Sequence, residues 1–80
     1  MHEEIKELRR RLPKRHYVSE IKKLIREKEG KRISTSQIHN FFNYRSVNEE
    51  HQILIIKGAN YLIKKVEKVK DEKKRLLKKQ

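Results

Sequence analysis

Gly30-Lys31-Arg32-Ile33-Ser34-Thr35-Ser36-Gln37-Ile38-His39-Asn40-Phe41-Phe42-Asn43 is the stretch on which the reading of the whole chain turns. Ser34 stands three residues before Gln37, the spacing at which a hydroxyl and an amide satisfy the first turn of a helix reciprocally. Ile33 and Ile38 stand where a hydrophobic staple closes across that same turn. Two independent devices thus name Ser34 as the N-cap and predict a helix from Thr35 to about Phe42. Ile38, Phe41 and Phe42 fall on its inward side. Thr35, Ser36, His39 and Asn40 fall on its outward side.

No residue from Ile33 to Asn43 carries a formal charge, in a chain of 80 residues with 23 Lys and Arg against 11 Asp and Glu. The balance is +6 over residues 1–32 (12 − 6), −1 over 33–56 (1 − 2) and +7 over 57–80 (10 − 3), which sums to +12. A polycation built only for bulk attraction has no reason to keep a neutral window between two basic shoulders. A protein that grips phosphates with its flanks and reads bases in between does. The length permits one domain, and 34% hydrophobic residues give a small core, so a partner is expected. The absence of cysteine excludes disulfides and thiolate metal sites. The longest apolar run is Ile53–Ile56 and no signal-type segment is evident, so a cytoplasmic, nucleoid-associated protein without membrane association is expected.

Outward from the central stretch, the chain reads as all helix: little Gly or Pro, and no alternating apolar run of strand length. A first helix is predicted from Glu3 to Leu12, with Ile5, Leu8 and Leu12 on one stripe and Pro13 as its stop. A second runs from about Arg15 to Lys28, burying Val18, Ile21, Leu24 and Ile25, with Gly30 as C-terminal cap. A fourth starts between Ser46 and Asn48, where either Ser46-x-x-Glu49 or Asn48 supplies the cap, and has no strong stop before the C-terminus. The expectation is an all-α, small helix-turn-helix bundle of about four helices with a long C-terminal helix. Residues 1–48 form the bundle part and 49–80 the long helix. Ile55, Ala59, Leu62, Val66, Val69 and Leu76, with Lys73 among them, repeat at 4-3 spacing and predict a seam joining two chains. Ile56, Ile63 and in part Ala59 form a second stripe, predicted to dock on the first three helices. Gly58 marks a bend or a close backbone contact, and the Lys-rich stretch past Lys70 is expected to fray.

Ile33-Ser34-Thr35-Ser36-Gln37-Ile38-His39-Asn40-Phe41-Phe42-Asn43 resembles the Val-Ser-x-x-x-Val-x-x-x-x-Asn recognition helix of DNA-binding proteins of the phage-repressor/Cro and lac-repressor-headpiece type. Leu12-Pro13 before the second helix, and Arg45 with Asn48-Glu49 after the third, look like small prophage-type regulators. One departure is visible. The family places Gly directly before the aliphatic residue, whereas Lys31 and Arg32 intervene here, so the turn is about two residues longer. The resemblance implies a repressor-like regulator of transcription that binds double-stranded DNA, as a homodimer, with the third helix in the major groove. It implies base contact by Thr35, Ser36 and Asn40, with His39 as a further candidate. The side-chain chemistry agrees: compact polar groups suit a groove about 12 Å wide, and Asn40 and Gln37 are able to bond adenine bidentately, Gln37 only if the capping box leaves it free. Phosphate contact is expected from Lys14, Arg15, His16 and Tyr17 at the start of the second helix, from Lys31, Arg32 and Ser34 before the third, and from Asn43, Tyr44 and Arg45 after it.

Enzyme chemistry is not expected. Ser36-x-x-His39 puts a hydroxyl and an imidazole on one helix face without an orienting acid or oxyanion donors. The four histidines lack ligand spacing, so no metal, cofactor or small-molecule substrate is expected. Two rival functions remain at this level: a nonspecific basic RNA-binding or architectural protein, and a helical protein-interaction module whose long helix is the working end.

Overall fold

A computed structural model of the chain describes residues 2–78. It is all-α, with α1 (His2–Arg11), α2 (Tyr17–Glu29), α3 (Thr35–Phe42) and α4 (Glu49–Lys78), and no strand among the described residues. The predicted long helix is described as far as Lys78 and is continuous to that point, past the stretch expected to fray. Lys79 and Gln80 lie outside the described residues.

One core joins all four helices. Ile5 and Leu12, Ile21, Leu24 and Ile25, Ile33, Ile38, Phe41 and Phe42, and Leu54, Ile55, Ala59, Leu62 and Ile63 are buried together. The split at residue 48 is therefore a change of element and not a boundary between two cores. The most extensive contact is between α2 and α4, and Gly58 explains how closely they lie. A Cβ built there would sit 2.7 Å from Ile25 Cγ1 and 2.9 Å from Ile21 Cγ2, well inside the roughly 3.5–4.0 Å of carbon–carbon contact. Of the two roles foreseen for Gly58, it fills that of close approach. Around this contact Lys65 pairs with Glu20, and Glu29 accepts hydrogen bonds from the Tyr61 hydroxyl (2.8 Å) and Lys57 Nζ (3.3 Å). These bonds, Tyr61's first, hold the Glu29 carboxyl below the usual carboxylate range, and the same bond pushes the Tyr61 phenol up.

The helix ends follow local chemistry. α2 begins at Tyr17, not Arg15, because His16 takes a left-handed conformation (φ 59°); Lys14 and Arg15 therefore lie in the turn before the helix and not in its first turn. At the other end Gly30 (φ 65°) donates its N–H to the Arg26 carbonyl, which matches the predicted cap. α3 starts at Thr35 with the full capping box: the Gln37 N–H donates to Ser34 Oγ and the Ser34 N–H to Gln37 Oε1, each at 3.2 Å. Its C-terminus closes as a Schellman turn. The Tyr44 N–H donates to Phe41 and the Arg45 N–H to Asn40, with Tyr44 itself left-handed (φ 61°) where glycine is the usual occupant. α4 is capped by Asn48, whose Oδ1 accepts from the His51 N–H at 2.8 Å, so the Ser46 alternative is not the one used.

The seam predicted to pair two chains is corrected by the packing. Ile55, Ala59 and Leu62 are sealed inside a single chain, against α2, and Val66 is half-buried beside them. The two stripes of α4 have exchanged roles in part: the 4-3 seam docks on the bundle as far as Leu62. Of the second stripe, Ile63 is buried while Ile56 stays 36% exposed. Of the seam's apolar residues, Val69 and Leu76 are open to water, as are Ile53 and Leu77 elsewhere on α4.

Candidate nucleic-acid interface

The outward face of α3 is organised by its first turn. Ser34 and Gln37 complete the capping box, and the Gln37 amide nitrogen also lies 2.7 Å from His51 Nδ1 on α4. Since Oε1 already accepts from Ser34, Nε2 is the donor and His51 Nδ1 the acceptor. Gln37 is thereby corrected as a base-reading candidate: both ends of its half-buried amide are committed within the fold, and a bidentate bond to adenine needs both ends aimed at one base edge. Ser34 Oγ is likewise occupied as an acceptor and keeps only its hydroxyl proton for a phosphate.

The other four face residues are differently placed. Thr35, Ser36 and His39 are exposed and Asn40 is half-buried. None of their side chains is hydrogen-bonded to another described residue. The fold thus presents a hydroxyl, a second hydroxyl, an imidazole and an amide over two turns of one helix and uses none of them itself. Buried Ile38, Phe41 and Phe42 hold the helix from behind, with Phe41 and Phe42 edge to face at 5.1 Å.

Beside this face runs a groove between α2 and α3, of about 610 Å³, lined by Lys22, Lys23 and Arg26 of α2, Thr35 and His39 of α3, and the residues from His16 to Ser19. Its lining carries no carboxylate. The three cations form no ion pair with any described residue, whereas Glu7, Glu20, Glu29 and Glu67 are paired with Arg10, Lys65, Lys57 and Arg11 on α1 and α4. These four acids are paired on α1, α2 and α4, and the α2–α3 groove, with no acid in its lining, keeps its positive charge. Lys22, Lys23 and Arg26 were not among the residues singled out in the sequence. Their shared spacing (i, i+1, i+4) was a signal, but only the crossing of α3 over that face turns it into a groove.

The expected phosphate contacts divide. Lys14 and Arg15 before α2, Lys31 and Arg32 in the loop between α2 and α3, and Asn43 and Arg45 after α3 are all exposed. His16 and Tyr17 line the groove. Tyr17 is half-buried, its ring edge-on to Phe42 at 5.6 Å and covered by the Arg9 guanidinium at 3.9 Å, so its body serves packing. Tyr44 is exposed but leans on the His2 ring at 4.6 Å. Among the described residues no cluster of His, Asp or Glu stands where it would hold a metal ion, and no helix is long and apolar enough to cross a membrane. Compared with known proteins, the chain is matched by no protein-family model, no curated protein and no solved structure.

Proposed function

We propose that this protein is a sequence-specific double-stranded-DNA-binding protein that lays α3 in the major groove and acts as a repressor-like regulator. The observation that carries the reading is the outward face of α3. Thr35, Ser36 and His39 are exposed and Asn40 is half-buried, all four are polar with no side-chain partner among the described residues, and they stand beside a groove of unpaired cations. Uncharged hydrogen-bonding groups distinguish base pairs in the major groove, and cations on the flank hold phosphates without regard to sequence. Asn40 takes the adenine-reading role, since its amide is uncommitted where that of Gln37 is not. Thr35 and Ser36 suit hydroxyl contacts or the thymine methyl group. The exposed cations at 14, 15, 31, 32 and 45 supply the sequence-independent part of the affinity.

Selection of bound sequences from a random duplex pool, followed by competition between the selected and a scrambled duplex, tests this directly. The expected outcome is a preferred site bound at least about a thousandfold more tightly than scrambled DNA. Thr35→Ala with Asn40→Ala should remove most of that preference while leaving binding to scrambled DNA nearly intact. Equal affinity for both duplexes in the unaltered protein defeats the reading and leaves a nonspecific polyanion binder.

A further inference from the structure

We infer that the exposed C-terminal end of α4 docks, in a second copy of the same chain, on the open apolar cleft between α1 and α4. The cleft has a volume of about 460 Å³ and is lined by Glu4, Ile5, Leu8, Phe41 and Ile56. Ile56 at its lip is 36% exposed, and Ile53, one turn earlier, is 55% exposed. At the far end of α4, Leu76 and Leu77 are 66% and 70% exposed. A small core has left apolar surface uncovered at both ends of one helix.

The two features cannot meet within a chain. Ile56 and Leu76 are twenty residues apart on an unbroken helix, about 30 Å at 1.5 Å per residue. They can meet between chains, and the charges say in which direction. α1 and α4 run the same way, since Glu4 and Ile56 line one cleft while Arg11 and Glu67 form an ion pair further on. The first turns of both helices therefore bring Glu3, Glu4, Glu49 and Glu50 to one end of the molecule. The opposite end is cationic: residues 68–78 carry Lys68, Lys70, Lys73, Lys74, Arg75 and Lys78 against Asp71 and Glu72. Two tails laid on each other would oppose like charges. Two chains laid antiparallel put each cationic tail on the other's acid-rimmed cleft and make both pairings at once, a closed two-fold arrangement. The inference needs no DNA and stands or falls apart from the reading of α3.

Charge exchange followed by sedimentation equilibrium of the full chain is decisive. The altered side chains are exposed, so unchanged circular dichroism is the check on folding. The unaltered protein is expected to dimerise without DNA. Arg75→Glu with Lys78→Glu should weaken self-association at least about tenfold, and so should Glu49→Lys with Glu50→Lys. An equimolar mixture of these two variants should associate more tightly than either alone, because each tail then meets a cleft of opposite sign. Ile56→Asp should weaken the dimer as Leu77→Asp does, since Leu77 lies within about 60° of Ile56 around α4. A monomer at all concentrations overturns the proposal. So does a dimer that loses strength only through tail substitutions, which would mean tail-on-tail pairing, and so does a mixture no tighter than its components.

Discussion

Gly58→Ala should destabilise this protein, although the same change in the interior of an ordinary helix stabilises it by about 1 kcal/mol. The new methyl group would lie 2.7 Å from Ile25 Cγ1, 2.9 Å from Ile21 Cγ2 and 3.1 Å from Ile25 Cδ1. Both isoleucines are fully buried, and a β-branched side chain in a helix has little choice of χ1, so neither can turn away. The helices must separate instead. Overfilling a packed core costs typically 1–3 kcal/mol. A deficit near 1 Å against two side chains belongs toward the upper part of that range, which leaves a net loss of about 1–2 kcal/mol after the propensity gain. For a domain this small that lowers the thermal midpoint by roughly 4–16 °C. The assay is thermal unfolding followed by far-UV circular dichroism. Asn60→Ala serves as the control: it lies on the exposed side of the same helix and should be neutral or slightly stabilising. In an Ile25→Ala background, itself weakened by about 2–5 kcal/mol, adding Gly58→Ala should lose most of its cost. A Gly58→Ala protein that melts higher than the parent would refute the account of α2 and α4 packing given above.

Three further outcomes are expected. Gln37→Ala removes half of the capping box and the tie to His51, so stability should fall by about 1–2 kcal/mol in denaturant titration, while preference for a selected duplex over a scrambled one stays the same at temperatures where the protein is folded; a lost preference would return Gln37 to the reading face. Replacing Lys22, Lys23 and Arg26 together with Gln should flatten the dependence of log affinity on log salt by about 3, near 0.9 per phosphate released, and weaken selected and scrambled duplexes alike; an unchanged slope would remove the groove from the path of the DNA backbone. Tyr61→Phe should lower stability at neutral pH and do so less as the solution is acidified. A depressed Glu29 carboxyl contributes stability above its unfolded pKa, near 4.3, and that contribution disappears as pH falls through the folded value. A Tyr61→Phe penalty that stays constant from neutral pH to below 4 would show that the loss is packing alone.

The parts of the fold legible in the sequence were those set by short-range chemistry. Ser34, Gln37, Ile33 and Ile38 fixed α3 to the residue, because a cap and a staple are both satisfied within one turn. Pro13 and Gly30 bounded α1 and α2 for the same reason. The end of α3 was less legible, since Tyr44 occupies a left-handed position with no glycine to announce it. The start of α2 was misplaced by two residues for a local reason, the left-handed His16, and the remaining failures were tertiary. The periodicity of Ile55, Ala59 and Leu62 says that one face of α4 is covered, but not by what. α2, brought close by Gly58, covers that face from within the chain. Gln37 looked available until α4 placed His51 at its amide. Lys22, Lys23 and Arg26 gained a common role only when α3 crossed beside them.

Because α4 runs without interruption from the core to the exposed Leu76 and Leu77, the bearing of its far end relative to α3 is locked by residue number alone. One residue inserted near Glu67 would leave the bundle untouched yet rotate everything beyond it by about 100° and advance it by about 1.5 Å, and four residues would bring the original bearing almost back, one turn farther out. Natural length variation in this segment should therefore come in steps of three, four or seven, like teeth on a gear.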